Sequence, residues 1–264
     1  MTKKDFASFL SNIIKLRKDD TIFLHSSLGQ LRLNFDVEEA IDIILTILGQ
    51  NGTIVVPTFP SKGSEQFLKD KEVFSVRETE SGVGLLTEKL RKRKNALRSL
   101  HPIKSCAAIG KNAEYLLSEH YKSLLPYDHH SPFYKLIDLN AKIVGLGVSS
   151  WIFSFQHCVP DTFEPYPVKI HSDTLYQVKC IDVDRSEKVI LTPYDLVEVI
   201  EQRNYSFIRQ YYTKNEWYEC NYNRRDAYVI NTYKYYTKCV DLASKGITMY
   251  PRQLYEQAAN RSKK

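Results

Sequence analysis

The order strand, helix, strand between residues 21 and 57 restricts the fold more than any other stretch of this sequence. Thr21-Ile22-Phe23-Leu24 is a short run of β-branched and apolar residues and reads as a buried strand. Asp36 followed by Glu39 is close to a capping box, and Ala40-Ile41, Ile43-Ile44-Leu45 and Ile47-Leu48 continue as an apolar helical pattern up to Gly49. After the turn Gln50-Asn51-Gly52, Thr53-Ile54-Val55-Val56 is a second buried strand, ending in Pro57-Thr58-Phe59-Pro60. Two strands joined in this way form a right-handed crossover and lie parallel in one sheet. Their carboxyl ends share an edge, where open α/β sheets bind ligands, and Ser26, Ser27 and Thr58 fall on it.

The remaining segments add to this unit. Phe6, Phe9, Leu10, Ile13 and Ile14 recur at helical spacing, residues 61 to 80 read as a polar loop or flap over a cleft, and Val83, Leu85, Leu86 and Leu90 mark a helix. A helix is expected from Lys111 to Tyr121 and a strand from Ala141 to Leu146. Tyr176, Val178 and Cys180 alternate with Gln177 and Lys179, and with Lys188 to Leu191 they suggest an antiparallel pair. Thr192-Pro193-x-Asp195 reads as the start of a helix, and Pro251 to Asn260 as a last one. The expected fold is α/β: a mixed, largely parallel central sheet flanked by helices, with a smaller antiparallel β region. One domain is expected over residues 1–264, with a basic, tyrosine-rich subregion from about residue 201.

Composition narrows the function classes. The hydrophobic fraction of 43% and charged fraction of 26% suit a globular protein, and no window approaches the ~18 apolar residues of a membrane span. Met1-Thr2-Lys3-Lys4-Asp5 leads into an amphipathic helix rather than a signal-peptide core, so a cytoplasmic location is expected. The five cysteines are scattered, with no Cys-x-x-Cys pair, and His129-His130 are adjacent and so a poor chelating pair; no metal site is expected. Residues 201 to 264 hold 12 Lys and Arg against 6 Asp and Glu, and 11 of the 18 tyrosines. Such a segment suits an anionic ligand held by charge and stacking.

Chemistry concentrates in two places. Between Arg98 and Ser105, two basic side chains, two hydroxyls and an imidazole precede a buried run beginning Cys106-Ala107-Ala108, with Pro102 holding the chain out of helix. Further on, His157-Cys158-Val159-Pro160-Asp161 sets an imidazole near a carboxylate at the entry to a Pro-rich segment, where the histidine is a general base or a hydrogen-bonded structural residue. No Walker loop, dinucleotide fingerprint, nucleophile elbow or His-Glu-x-x-His is present.

His25-Ser26-Ser27-Leu28, Gly52-Thr53 through Pro57-Thr58-Phe59, Thr87-Glu88 with Arg91, Arg98-Ser99 with His101-Pro102 and Ser105, Ser131-Pro132, and Gly145-x-Gly147 leading to His157 together resemble the aminoglycoside 3-N-acetyltransferase family, from about Lys15 to about Val178. The resemblance implies transfer of an acyl group from acetyl-CoA or another acyl-CoA to an amine on a sugar ring. It implies that Ser26, Ser27, Thr58, Arg98, Ser99 and Ser105 line the coenzyme pocket, that His157 is the catalytic histidine, and that His101 shapes the pocket. The family's carboxylate three residues after the histidine is replaced here by Pro160, so that Asp161 or Glu164 orients His157 or the enzyme does without such a partner. Arg98 suits a phosphate.

Members acting on cationic aminoglycosides are expected to present acidic pockets, whereas this chain ends in a basic, tyrosine-rich segment. The preferred reading is therefore an N-acyltransferase acting on an amino sugar with its own negative charge, most simply a nucleotide-linked amino deoxysugar stacked on tyrosines between Tyr205 and Tyr236. The alternative is an aminoglycoside 3-N-acetyltransferase. A non-enzymatic nucleic-acid binder ranks well below both, since no nucleic-acid module is present. A homo-oligomer is compatible with the sequence, and no membrane partner is expected.

Overall fold

The computed structural model describes residues 1–222 and 224–251. Its strands, in chain order, are β1 (Thr21–Ser26), β2 (Thr53–Pro57), β3 (Phe74–Ser75), β4 (Leu97–Arg98), β5 (Cys106–Gly110), β6 (Lys142–Leu146), β7 (Tyr176–Ile181), β8 (Glu187–Thr192), β9 (Trp217–Asn221) and β10 (Asp226–Asn231). One seven-stranded sheet has the order β4, β5, β2, β1, β6, β10, β9, and β3, β7 and β8 form a second sheet. β1 runs parallel to both β2 and β6, and β5 and β10 flank this trio antiparallel. The mixed α/β architecture expected from the sequence is present, with the parallel part of the large sheet in its three central strands.

The crossover helix Val37–Leu48 starts at a full capping box of Asp36 and Glu39 and ends at Gly49, whose φ is 67°. It buries Ala40, Ile41, Ile44 and Leu48 in a core that also takes Ile22, Leu24, Ile54 and Val56. Phe23, Val55, Ala108 and Ile143 belong to a second core with Phe133 and Leu136. Residues of both parities are buried, which is why these strands read as unbroken apolar runs rather than as alternating ones. Among the described residues, no helix is long and apolar enough to cross a membrane.

Two glycines fix the end of β6. A side chain at Gly145 would fall 1.9 Å from Cε1 of Tyr228, so the tyrosine ring on neighbouring β10 needs glycine there. Gly147, at φ 70°, turns the chain off the strand. Because β1, β2 and β6 are parallel, and β5 begins opposite the end of β2, the ends of β1, β2, β4 and β6 and the start of β5 share one edge.

Several local expectations change. Residues 61–80 contain a helix, Ser64–Lys69, and β3; Phe67, Leu68 and Phe74 pack with Val178, Cys180 and Ile190, so the segment is anchored beneath the small sheet. The first helix divides into Lys3–Ser8 and a π-helical turn, Phe9–Ile13. The Lys111 to Tyr121 helix is shorter, Ala113–Leu117, followed by a 3₁₀ turn at His120–Lys122. Thr192 is the last residue of β8, paired with Tyr176, and helix resumes only at Val197–Ile200. Sheet pairing has overridden the capping preference of Thr192-Pro193. The helix expected from Pro251 to Asn260 lies outside the described residues.

Candidate active site

Along the shared edge, Ser26 and Ser27 are half-buried, and among the described residues neither hydroxyl makes a hydrogen bond. The other hydroxyls there are fully engaged. Thr58 and Ser105 are buried with their Oγ atoms 3.0 Å apart, and Ser105 Oγ also donates to the Thr58 carbonyl at 2.9 Å. Ser99 Oγ accepts from the Cys106 N–H and meets His120 Nδ1, both at 2.9 Å.

Arg98, expected to bind phosphate, is used up inside the protein. Its Nε donates to Thr58 Oγ1 and Ser105 Oγ at 3.1 and 3.2 Å, Nη1 to the carbonyls of Val76 and Thr79, and Nη2 to that of Thr58. Its guanidinium lies 4.8 Å from the Phe74 ring centroid, and burial lowers its pKa to about 9. It fastens the turn after β3 to the end of β2. The other paired motifs are similarly structural: Arg91 holds Glu88 with two donors, and Ser131 caps the helix Pro132–Asp138 through Tyr134 N–H. His101 is buried, stacked on His120 at 4.4 Å, and its Nδ1 accepts from Lys104 N–H, so it shapes the turn that carries Lys104.

A second cluster surrounds His157, which ends the 3₁₀ turn Ser154–His157. Its ring stacks on Tyr127 at 5.0 Å and is 6% exposed, and burial lowers its pKa to about 3. Tyr127 in turn meets Phe133, which touches Phe23 of β1. The Lys104 ammonium lies 5.1 Å from the Phe59 ring and 5.8 Å from that of Tyr127, joining the end of β2 to the histidine.

Neither acid proposed to orient His157 does so. Asp161 follows Pro160 inside the short helix Cys158–Thr162; one of its oxygens accepts from Tyr127 N–H at 2.9 Å and the other meets His171 Nε2 at 2.6 Å. Glu164 is exposed and, among the described residues, makes no hydrogen bond or ion pair. It borders a cleft of about 590 Å³ with Pro160, Tyr166, Lys169 and His171.

Sequence reasoning missed the charges that surround the histidine. Asp195 pairs with Lys104 at 2.5 Å and lies 3.3 Å from His171 Nδ1, so His171 sits between two carboxylates. Burial opposes the charge on His171, but Asp161 and Asp195 outweigh it and raise its pKa to about 10. Burial likewise opposes the Asp195 charge, and Lys104 and His171 hold that carboxyl well below its ordinary range. Lys104 and His171 balance Asp195 and Asp161, which leaves Arg203. Its Nη1 lies 3.0 Å from His157 Nε2. A guanidinium only donates, so Nε2 carries the lone pair and Nδ1 the proton. No short-range spacing marked this set, because its members come from residues 104 to 203 and meet only when the large sheet and the 160–200 segment pack together.

Three of the tyrosines expected to stack a nucleobase are structural. Tyr212, Tyr228 and Tyr235 are core residues packed around Phe153 and Trp217. Tyr233 is exposed on the last described helix, and Tyr205 is stacked parallel to Trp151, which is 57% exposed, and faces Arg203. A cleft of about 710 Å³ beside β4 is lined by Arg77, Arg91, Arg93 and Arg98, but each of these guanidinium groups already bonds to a carboxylate or carbonyl of the protein.

A family profile described as aminoglycoside 3-N-acetyltransferase matches residues 23–243. Among solved structures, the fold is similar to that of AAC-IIIb in a binary complex with CoASH: TM-score 0.74, 15% identity, covering 95% of this chain and 99% of that one. Sisomicin-bound AAC-VIa gives a TM-score of 0.76 at 15% identity, covering 94% and 99%. The YokD protein from Bacillus subtilis gives 0.69 at 19% identity, covering 93% and 98%. At these identities the likeness establishes the fold. No curated protein sequence matches.

Proposed function

This chain belongs to the aminoglycoside 3-N-acetyltransferase family, and from that premise we propose that it transfers an acyl group from acyl-coenzyme A to an amine of an aminoglycoside-type amino sugar, with His157 as general base. The observation that carries the assignment of the base is the state of its ring: neutral, with the lone pair on Nε2. A sugar amine is mostly protonated at neutral pH and must shed a proton to attack a thioester, a transfer that a placed imidazole accelerates by roughly 10² to 10⁴-fold. Ser26 and Ser27, whose hydroxyls on the sheet edge make no hydrogen bond among the described residues, are the groups of the expected coenzyme set left to meet the donor. The relatives solved with CoASH and with sisomicin support a coenzyme donor and an aminoglycoside acceptor.

One observation favours a second reading, an acceptor with its own negative charge: Arg203 beside the base meets no carboxylate among the described residues. Thiol release from acetyl-CoA, measured with sisomicin and with a nucleotide-linked amino sugar as acceptors, decides between them. Turnover of sisomicin is expected. Turnover of the nucleotide-linked sugar alone would install the second reading, and coenzyme binding without transfer to either amine would overturn both.

A further inference from the structure

Acyl transfer builds negative charge on the thioester oxygen, and a site that speeds it needs a donor aimed at that oxygen. The hydroxyls of Thr58, Ser99 and Ser105, the obvious candidates by sequence, are buried and bonded to one another, to His120 and to the backbone. Lys104 is tied to Asp195. Ser26 and Ser27 keep hydroxyls at the end of β1 and are left to the coenzyme. The charged donor beside the base itself is Arg203, whose Nη1 is on His157 Nε2, whose guanidinium lies 5.3 Å from the Tyr205 ring, and whose Nε is buried with no hydrogen-bond partner among the described residues.

For His157 to act, the acceptor nitrogen must take the position that Nη1 now holds, about 3 Å from Nε2. The carbonyl carbon then bonds to that nitrogen and the oxygen lies one bond further, so the oxyanion forms within roughly 5 Å of Nε2. A guanidinium pushed aside by the width of one nitrogen stays within reach of it.

Resting on the acyltransfer reading above, we propose that Arg203 is a two-position donor: it caps Nε2 of His157 between turnovers, and when the acceptor nitrogen occupies Nε2 it donates to the thioester oxygen as that oxygen becomes an oxyanion. The acceptor reacts as the neutral amine, its ammonium proton having gone to bulk water; as its lone pair forms the N–C bond and the carbonyl π pair moves onto oxygen, one N–H proton passes to Nε2. Collapse breaks the C–S bond, the thiolate leaves, and the proton on His157 goes to it, yielding amide and thiol.

Arg203→Met, assayed with acetyl-CoA and sisomicin, is expected to lose about 10² to 10³-fold in kcat, the scale of one lost oxyanion donor, while the KM for acetyl-CoA stays within about twofold of wild type. Arg203→Lys should recover part of the loss, and added guanidinium ion at non-denaturing concentration should partly rescue Arg203→Ala. The acid limb of kcat/KM should move to higher pH in Arg203→Met, since Arg203 and Lys104 and the His171 ring hold His157 down while Asp195 holds it up, and Tyr127 covers its face. Without substrates, the ¹⁵N resonance of His157 Nε2 should shift in the same variant. Wild-type kcat in Arg203→Met overturns the oxyanion assignment. So does a reduced kcat with no guanidinium rescue and an unmoved acid limb, and so does a loss confined to acceptors bearing a negative charge. If the wild-type protein transfers no acyl group, the function reading falls, while the His157 resonance still judges the cap: an unshifted signal removes it.

Discussion

The side chains of Thr58, Ser99, Ser105 and Arg98 make their hydrogen bonds inside the protein, whereas His157 and Arg203 meet each other through Nε2 and Nη1 and each keep another buried nitrogen, Nδ1 and Nε, without a hydrogen-bond partner among the described residues. Native proteins satisfy nearly all buried polar groups, and the exceptions call for an explanation. The first set holds the fold: it locks the turn after β3 and the 99–105 turn to the ends of β2 and β5. On the acyltransfer reading proposed above, the second is held, at the expense of stability, where the acceptor nitrogen would enter. Residue type at a strand end therefore does not separate scaffold from chemistry, and an unpartnered nitrogen alone does not either, since His25 and His101 also keep a buried Nε2 without a hydrogen bond among the described residues; what sets His157 apart is that its Nε2 faces the Arg203 guanidinium.

The largest test of this contrast sets His157→Ala against Ser99→Ala. Loss of the base should lower kcat by roughly 10² to 10⁴-fold and leave coenzyme binding, read by calorimetry, close to wild type. Ser99→Ala should do the reverse, leaving the Cys106 N–H and His120 Nδ1 without the Ser99 hydroxyl at about 1–3 kcal/mol of stability, with kcat per folded molecule little changed. Thermal unfolding and thiol release on the same samples read both effects. If Ser99→Ala instead raised the KM for acetyl-CoA with unaltered unfolding, the hydroxyl edge would be a ligand site after all.

Much of the frame was legible. The run Thr21–Leu24, the Asp36 and Glu39 box and the run Thr53–Val56 gave the crossover because local propensity, capping and burial agree there. The alternation at Val178 and Cys180 gave the β7 and β8 pair for the same reason. The fate of Arg98 was not legible, since three of its acceptor oxygens are backbone carbonyls of Val76, Thr79 and Thr58, and any residue type supplies a carbonyl. Asp195 was hidden differently: a Thr-Pro-x-Asp string resembles a helix start, while its carboxylate is claimed by Lys104, ninety-one positions earlier in the chain.

The contrast also has a pH signature of intermediate size. His25, His120 and His157 are buried and neutral, with burial lowering their pKa values to about 3, 4 and 3, and His101 is pushed down for the same reason. The unfolded chain binds protons at these four sites below pH ~6.5, where the folded one does not, so stability should fall as pH drops from there towards 4, each ring adding at most about 1.4 kcal/mol per pH unit. His171 has the opposite sign: its raised pKa stabilises the fold fully below pH ~6.5, and that share is lost as pH rises towards about 10. Denaturant unfolding of wild type and His171→Gln across pH 4 to 10 reads both limbs. The variant should lose the alkaline limb and keep the acid one, and an alkaline limb unchanged in His171→Gln would mean that the Asp161, His171 and Asp195 set is not held as an ionised bridge.

Glu164→Gln should do least. The sequence offered Glu164 as a partner for His157, yet its carboxylate faces solvent on the rim of the 590 Å³ cleft and, among the described residues, bonds to nothing, while the oxygens of Asp161 are taken by Tyr127 and His171. A neutral isostere there removes one screened charge and no hydrogen bond, so stability should stay within about 0.5 kcal/mol and kcat within about twofold, since nothing fixed to the base has changed. What the charge can still do is attract a cationic acceptor across the cleft, an effect carried by KM and weakened by salt. A KM for sisomicin that rises at low ionic strength and converges with wild type at high salt would place Glu164 on the acceptor's approach, and a fall in kcat at all salt concentrations would return it to the base.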